Sequence, residues 1–149
     1  YPVETIEYMA RIAVNAEKIT KYNLADYKLR GTDIHNTICK CAVDATLELP
    51  IKAIVVSTKE GKSALDVSCL RPNAYIIATV ENEKMARMLA LKWGVYTKVV
   101  GVSKNTDDLV SDSVKAAKEI LNLKYKDLVC VVGSVPEEAH TNFLKIEEI

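Results

Sequence analysis

From Lys52 onward the chain alternates between two rhythms, and that alternation limits its fold more than any other feature. Short runs rich in β-branched residues recur at Ala53-Ile54-Val55-Val56, Tyr75-Ile76-Ile77-Ala78-Thr79, Val95-Tyr96-Thr97-Lys98-Val99-Val100 and Leu128-Val129-Cys130-Val131-Val132, the composition of strands. Between them, residues 62–70, 82–92 and 106–121 have helical character, each stretch long enough to cross back over a sheet in the right-handed sense. Parallel strands joined by crossover helices make a three-layer α/β/α domain. A last segment, residues 142–147, alternates polar and apolar side chains after a connection too short for a crossover helix. It is expected to be a fifth strand, antiparallel and at an edge.

Upstream, apolar residues at Val3, Ile6, Met9, Ile12, Ala13, Ala16 and Ile19 fall at the three-and-four spacing of an amphipathic helix, with Pro2 in its first turn. Such a helix requires an apolar partner surface. Residues 20–31 break the rhythm. Thr32 or Asp33 can then cap a second helix running to about Glu48, before Pro50 prevents its continuation. The chain has 149 residues, 49% of them apolar, which suits one compact domain and is too small for two. The one candidate boundary lies near residues 22–31.

Lys plus Arg equal Asp plus Glu at 20 each, so no net field gathers nucleic acid or anionic lipid. No apolar run reaches the roughly 20 residues of a membrane span, and the N-terminus lacks the basic-then-apolar order of a signal peptide. A soluble, cytoplasmic protein is the expectation. Of the four cysteines, Cys39 and Cys41 lie two apart in a helical pattern and point to different faces, with Cys69 and Cys130 far off in sequence. That spacing implies neither a zinc site nor a disulfide framework, and no metal is assigned.

In a doubly wound sheet, ligands bind outside the carboxyl ends of the strands. The first such turn is Ser57-Thr58-Lys59-Glu60-Gly61-Lys62-Ser63-Ala64. Ser57, Thr58 and Ser63 offer hydroxyls, Gly61 allows close backbone approach, Lys59 and Lys62 add positive charge, and the next helix aims its N-terminal amides at the same place. These are the ingredients of a phosphate cradle; they are equally those of a polar strand-to-helix turn with a serine cap and solvated lysines. No glycine stands five positions before Gly61, so the P-loop pattern is incomplete. The turn Glu81-Asn82-Glu83 reads as a helix cap. A loop from Gly133 through Pro136, Glu137, Glu138 and His140 to Thr141 lies near the same end of the sheet and is a candidate lid. No nucleophile can be paired with His140 or with His35, so no catalytic residue is assigned. Trp93 and Gly94, at a helix end, read as packing.

Several of these segments together resemble the C-terminal domain of the pyruvate kinases. Tyr1-Pro2-Val3-Glu4-Thr5-Ile6 with Met9-Ala10-Arg11-Ile12-Ala13 resembles the helix that leaves that family's barrel. The likeness continues through Lys52-Ala53-Ile54-Val55-Val56, Gly61-Lys62-Ser63-Ala64, Arg71-Pro72-Asn73, Ile76-Ile77-Ala78, Asn82-Glu83, Ala86-Arg87, Trp93-Gly94-Val95-Tyr96, Lys126-Asp127-Leu128-Val129 and Thr141-Asn142. The matches run in order along essentially the whole chain.

The resemblance implies a mostly parallel five-stranded sheet with the last strand antiparallel. It also implies that residues 1–22 connect from a barrel domain and 23–149 form the α/β domain. For a full-length parent it implies phosphoryl transfer from phosphoenolpyruvate to ADP in a glycolytic tetramer, with magnesium and potassium. That chemistry belongs to the barrel, whose metal-binding carboxylates, lysine and arginine have no counterpart here, so the chain is expected to be inactive alone, either as a fragment or as a stand-alone homologue. By the same resemblance, Ser57, Thr58, Lys59, Gly61, Lys62 and Ser63 would grip a phosphate of a sugar-phosphate effector, and Gly133, Pro136, His140 and Thr141 would close over it. Homo-oligomer contacts would come from helix 33–48 and edge strand 142–147.

Glu60 and the pair Glu137-Glu138 depart from the family pattern, and three carboxylates would repel a bisphosphate. Lys115 and Lys118 are the available substitutes for a second phosphate ligand. Three readings follow: a regulatory and assembly domain, an interface module whose effector site has decayed, or a stand-alone phosphate-binding protein.

Overall fold

The computed structural model describes residues 1–19, 33–134 and 140–149. Its elements are α1 (Pro2–Ile19), α2 (Ile34–Glu48), β1 (Ile51–Ser57), α3 (Lys62–Cys69), β2 (Tyr75–Val80), α4 (Glu83–Leu89), β3 (Val95–Val99), α5 (Thr106–Leu121), β4 (Leu128–Gly133) and β5 (Phe143–Glu148). The strands form one sheet in the order β3-β2-β1-β4-β5. The first four are parallel, and β5 runs antiparallel to β4, pairing Cys130 with Ile146 and Gly133 with Phe143. The expected architecture therefore forms, with boundaries displaced by a residue or two, except that α4 ends at Leu89 where the periodicity extended to 92.

Strand alternation divides the core between two layers. Ile54, Val56, Ile76, Ala78, Val80, Cys130 and Val132 face α2, α3 and α4 through Cys39, Ala42, Val43, Ala64, Val67, Ala86 and Leu89. Ala53, Val55, Ile77, Val129 and Val131 face α5 through Leu109, Val110, Ala116 and Ala117. Two-sided burial explains why β1, β2 and β4 read as nearly continuous apolar runs. β5 lies at the edge of the sheet and has no fully buried residue.

Helix ends follow local chemistry. Asp33 caps α2, its carboxylate accepting from the Asn36 N–H at 2.8 Å, and Asn82 and Asn105 cap α4 and α5 in the same way at 3.0 and 2.8 Å. Asn122 closes α5 in the left-handed conformation, φ 49°. α1 buries no residue: Val3, Ile6, Met9 and Ile12 are each at least 60% exposed, so the apolar face that its spacing builds stays open. Thr32, the alternative cap for α2, and the break at residues 20–31 lie outside the described residues. Among the described residues, no helix is long and apolar enough to cross a membrane.

Candidate functional site

The chain runs outward from β1 to β2 and β3, then returns to place β4 on the other side of β1. This reversal puts a topological switch point between β1 and β4, where doubly wound sheets open a crevice at the strands' carboxyl ends. A cavity of about 60 Å³ lies there. Ser57, Thr58 and Lys59 line it from β1, Thr79 and Glu81 from β2, Gly101 and Ser103 from beyond β3, and Ser134 from beyond β4; Asp112 and Ser113 close it from α5. Its volume suits a handful of waters or one small polar group. Among the described lining residues Lys59 is the one cation, and Glu81 and Asp112 are the carboxylates. An incoming anion would meet those two charges as well as the amine.

The turn after β1 is held by its own hydrogen bonds. The Thr58 N–H donates to the Thr79 carbonyl at 3.1 Å, and the Gly61 N–H donates to Thr58 Oγ1 at 3.0 Å. Gly61 has φ +80°, with Leu89 and Met85 packed where a Cβ would stand. It is the residue from which α3 starts, and as a glycine it supplies no side-chain cap, in contrast to the carboxylate and amide caps of α2, α4 and α5. The serine cap offered by the sequence does not form, because Ser63 lies inside the first turn of α3. Its hydroxyl instead shares a buried hydrogen bond with Thr141 Oγ1, 2.7 Å away and 78 residues on.

The residues proposed from sequence thus separate into three groups. Ser57, Thr58 and Lys59 line the crevice. Lys62, His140 and Thr141 line a different cavity, about 540 Å³, with Asp33, Ile34, His35 and Asn142. Gly61 and Ser63 are buried between them. Gly133 ends β4, with the Phe143 ring and Leu109 against it, and the Asn142 N–H donates to its carbonyl at 3.0 Å. Pro136, Glu137 and Glu138 lie outside the described residues. Glu60 is exposed. Lys115 pairs with Asp112 at 3.5 Å and lines a neighbouring cavity with Lys98 and Glu119; Lys118 is exposed on α5.

Contacts between distant segments escaped the sequence reading. His35, 6% exposed, places Nε2 2.7 Å from Asp66 Oδ2, joining α2 to α3. The Cys39 sulfur lies 3.9 Å from the same nitrogen, a meeting that the four-residue spacing on one helix face allows. Burial first, and then the Asp66 and Asp33 carboxylates against the opposing pull of Lys62, pushes the Cys39 thiol up to about 12; burial does the same to Cys130. Neither is a nucleophile at neutral pH. Glu81 was read within a cap, but Asn82 does the capping and Glu81 faces the crevice. Trp93 packs as expected: the Arg71 guanidinium lies 4.4 Å from its ring centroid, and its carbonyl accepts from Ser68 Oγ at 2.7 Å. Among the described residues no three of His, Cys, Asp and Glu are grouped to hold a metal ion.

Comparison with known proteins agrees with this geometry. The profile of the family described as "Pyruvate kinase, alpha/beta domain" matches residues 36–147. The chain is 38% identical to the pyruvate kinase of Staphylococcus haemolyticus over 151 residues, covering 98% of this chain and 26% of the relative. It is 36% identical to that of Clostridium acetobutylicum over 154 residues, covering 100% of this chain and 33% of the relative. The crystal structure of a pyruvate kinase from Cryptosporidium parvum has the same fold, with a TM-score of 0.79 at 24% identity over 99% of this chain and 30% of that one. The chain therefore spans between a quarter and a third of these relatives' length.

Proposed function

Because this chain belongs to the pyruvate kinase family as its alpha/beta domain, we propose that it is the regulatory and subunit-assembly part of a cytoplasmic pyruvate kinase. The parent would transfer phosphate from phosphoenolpyruvate to ADP in a barrel domain, and the magnesium and potassium implied for that reaction would belong to the barrel.

The observation that carries the reading is the start of α3. At the switch point, Gly61, which has no side chain to cap it, delivers the N-terminus of α3 beside Thr58, Lys59 and Ser63. First-turn amides and a lysine suit a phosphate group. Assembly would use the free flank of β5 and the exposed face of α2, where Thr37, Lys40 and Cys41 look outward, since an unpaired edge strand readily adds a copy of itself. A ligand at the turn would act on the barrel to the extent that it binds one conformation better than another.

A second reading has its own support. Glu81 and Asp112 line the crevice together with Lys59, as they would in an interface module that has lost its effector. Calorimetric titration with fructose 1,6-bisphosphate and sugar monophosphates separates the two. The regulatory reading predicts saturable heat that weakens in Lys59→Ala and strengthens by roughly three- to tenfold in Glu60→Ser, which removes a like charge. Absence of heat with every sugar phosphate would leave the interface module as the function.

A further inference from the structure

Both histidines of the chain, far apart in sequence, come to one cavity that is separate from the crevice. It has a volume of about 540 Å³ and is lined by Asp33 and His35 from the start of α2, Lys62 from α3, and His140 and Thr141 from the segment before β5. That volume is in the range of small-molecule pockets. His35 is 6% exposed, and its two ring contacts, to Asp66 Oδ2 at 2.7 Å and to the Cys39 sulfur at 3.9 Å, both use Nε2. An ionised carboxylate only accepts hydrogen bonds, so Nε2 carries the hydrogen and the neutral ring keeps Nδ1 as an acceptor. Among the described residues no hydrogen bond reaches that nitrogen. The Thr141 hydroxyl is taken by Ser63, and Asp33 accepts from the Asn36 N–H as the cap of α2. Lys62 and His140 are exposed and bring N–H donors, the first with a full positive charge.

We propose that this cavity is a site for a small hydroxy acid, whose carboxylate is held by Lys62 and His140 and whose hydroxyl donates to His35 Nδ1. Asp33 is the one carboxylate among the described lining residues. It repels the carboxylate of the acid, which therefore sits at Lys62 and His140 rather than at the start of α2. An acid without the hydroxyl leaves the buried Nδ1 unpaired, and that lost partner is what gives the cavity its preference. The site stands whether or not a phosphate binds in the crevice.

The test is titration of the chain with L-malate and with succinate, which differ by one hydroxyl, followed by the amide signals and the histidine ring signals. L-Malate is expected to bind saturably and tighter than succinate by roughly three- to tenfold, the factor that one net hydrogen bond represents, with shifts at His35, Lys62 and His140. Lys62→Ala is expected to weaken both acids and to keep their ratio, whereas His35→Phe is expected to bring the ratio to one. Because His35 also holds Asp66, that variant is read by the ratio, which loosened packing alone would not change. Should it fail to fold, the ratio in the native chain and the loss in Lys62→Ala decide. Equal affinity of the native chain for the two acids, or a ratio preserved in His35→Phe, overturns the proposal. So does an absence of saturable binding, or a set of shifts confined to Ser57, Thr58 and Ser134, which would put the acid in the crevice.

Discussion

Replacing four glycines one at a time by alanine provides a graded test of the backbone geometry at the candidate site. At Gly94, φ is +66° and a new Cβ would meet only the Ile76 Cδ1 at 3.9 Å, so the cost is that of a left-handed alanine, about 1–2 kcal/mol. At Gly61, φ is +80° and the Cβ would stand 3.1 Å from both Leu89 Cδ2 and Met85 Sδ. Those atoms are the ends of flexible side chains, so crowding adds under about 1 kcal/mol to the same backbone cost, for a total of about 1–3 kcal/mol. Gly133 carries no left-handed strain, but its Cβ would lie 3.1 and 3.2 Å from the Phe143 ring and 3.3 Å from Leu109; overpacking between a ring and a helix costs about 1–3 kcal/mol. Gly101 has nothing within 4 Å, and alanine there is expected to change stability by no more than about 0.5 kcal/mol, in the stabilising direction. Urea unfolding, read as midpoint shifts at constant m-value, gives the ranking: Gly61→Ala and Gly133→Ala lowest, Gly94→Ala between, Gly101→Ala at or above the native chain. A Gly94→Ala loss equal to that of Gly61→Ala, or a loss above 1 kcal/mol at Gly101, would refute the reasoning.

Two further predictions concern buried groups. At pH 8 a maleimide is expected to modify Cys41 and Cys69, which are exposed, and to leave Cys39 and Cys130 untouched until the chain unfolds; mass spectrometry counts the adducts, and four in the folded chain would be inconsistent with the packing. Both buried thiols have folded-state values raised from 9.0 to about 12, so the unfolded chain ionises first: their contribution is complete below pH 9 and is lost as pH rises toward 12, at about 1.4 kcal/mol per unit and thiol. Cys130→Ala should flatten that alkaline decline relative to the native chain. His35→Ala leaves Asp66 without its 2.7 Å partner and is expected to cost about 1–3 kcal/mol in urea unfolding. Adding Asp66→Asn to that variant should recover part of the loss, and no recovery would mean the imidazole acts through packing alone.

The strands and the order of layers were legible because two-sided burial leaves a local trace. Ile54 and Val56 face one layer and Val55 the other, so β1 needed apolar residues at consecutive positions, and a short apolar run bounded by turns reads as a strand without knowledge of its partners. The direction of β5 was legible for another local reason: too few residues separate it from β4 for a crossover helix. The end of α4 was not, because Leu91 and Trp93 continue an apolar spacing although the backbone leaves the helix after Leu89, with Leu91 88% exposed. Spacing records which side chains are apolar, and burial depends on where the next element lies.

The site divides along the same line. Ser57, Thr58 and Lys59 could be placed on the crevice from sequence because position in a doubly wound sheet follows from the strand that precedes them. Lys62, three residues later, faces another cavity, because the left-handed Gly61 turns the chain into α3 and a helix distributes successive residues around its axis. Nothing local marks Glu81 and Asp112 as sharing a cavity with Lys59, or Thr141 as the partner of Ser63; these come together through strand order and through α5 crossing the opposite face. That difference bears on function. Hydroxyls and lysines near Gly61 suggest an open cradle when counted along the sequence, whereas in the fold Thr58 and Ser63 have internal partners and Lys59 shares its cavity with two carboxylates. An anion at this turn would therefore meet hydroxyls that already have partners within the chain, and two carboxylates beside the one lysine of the crevice.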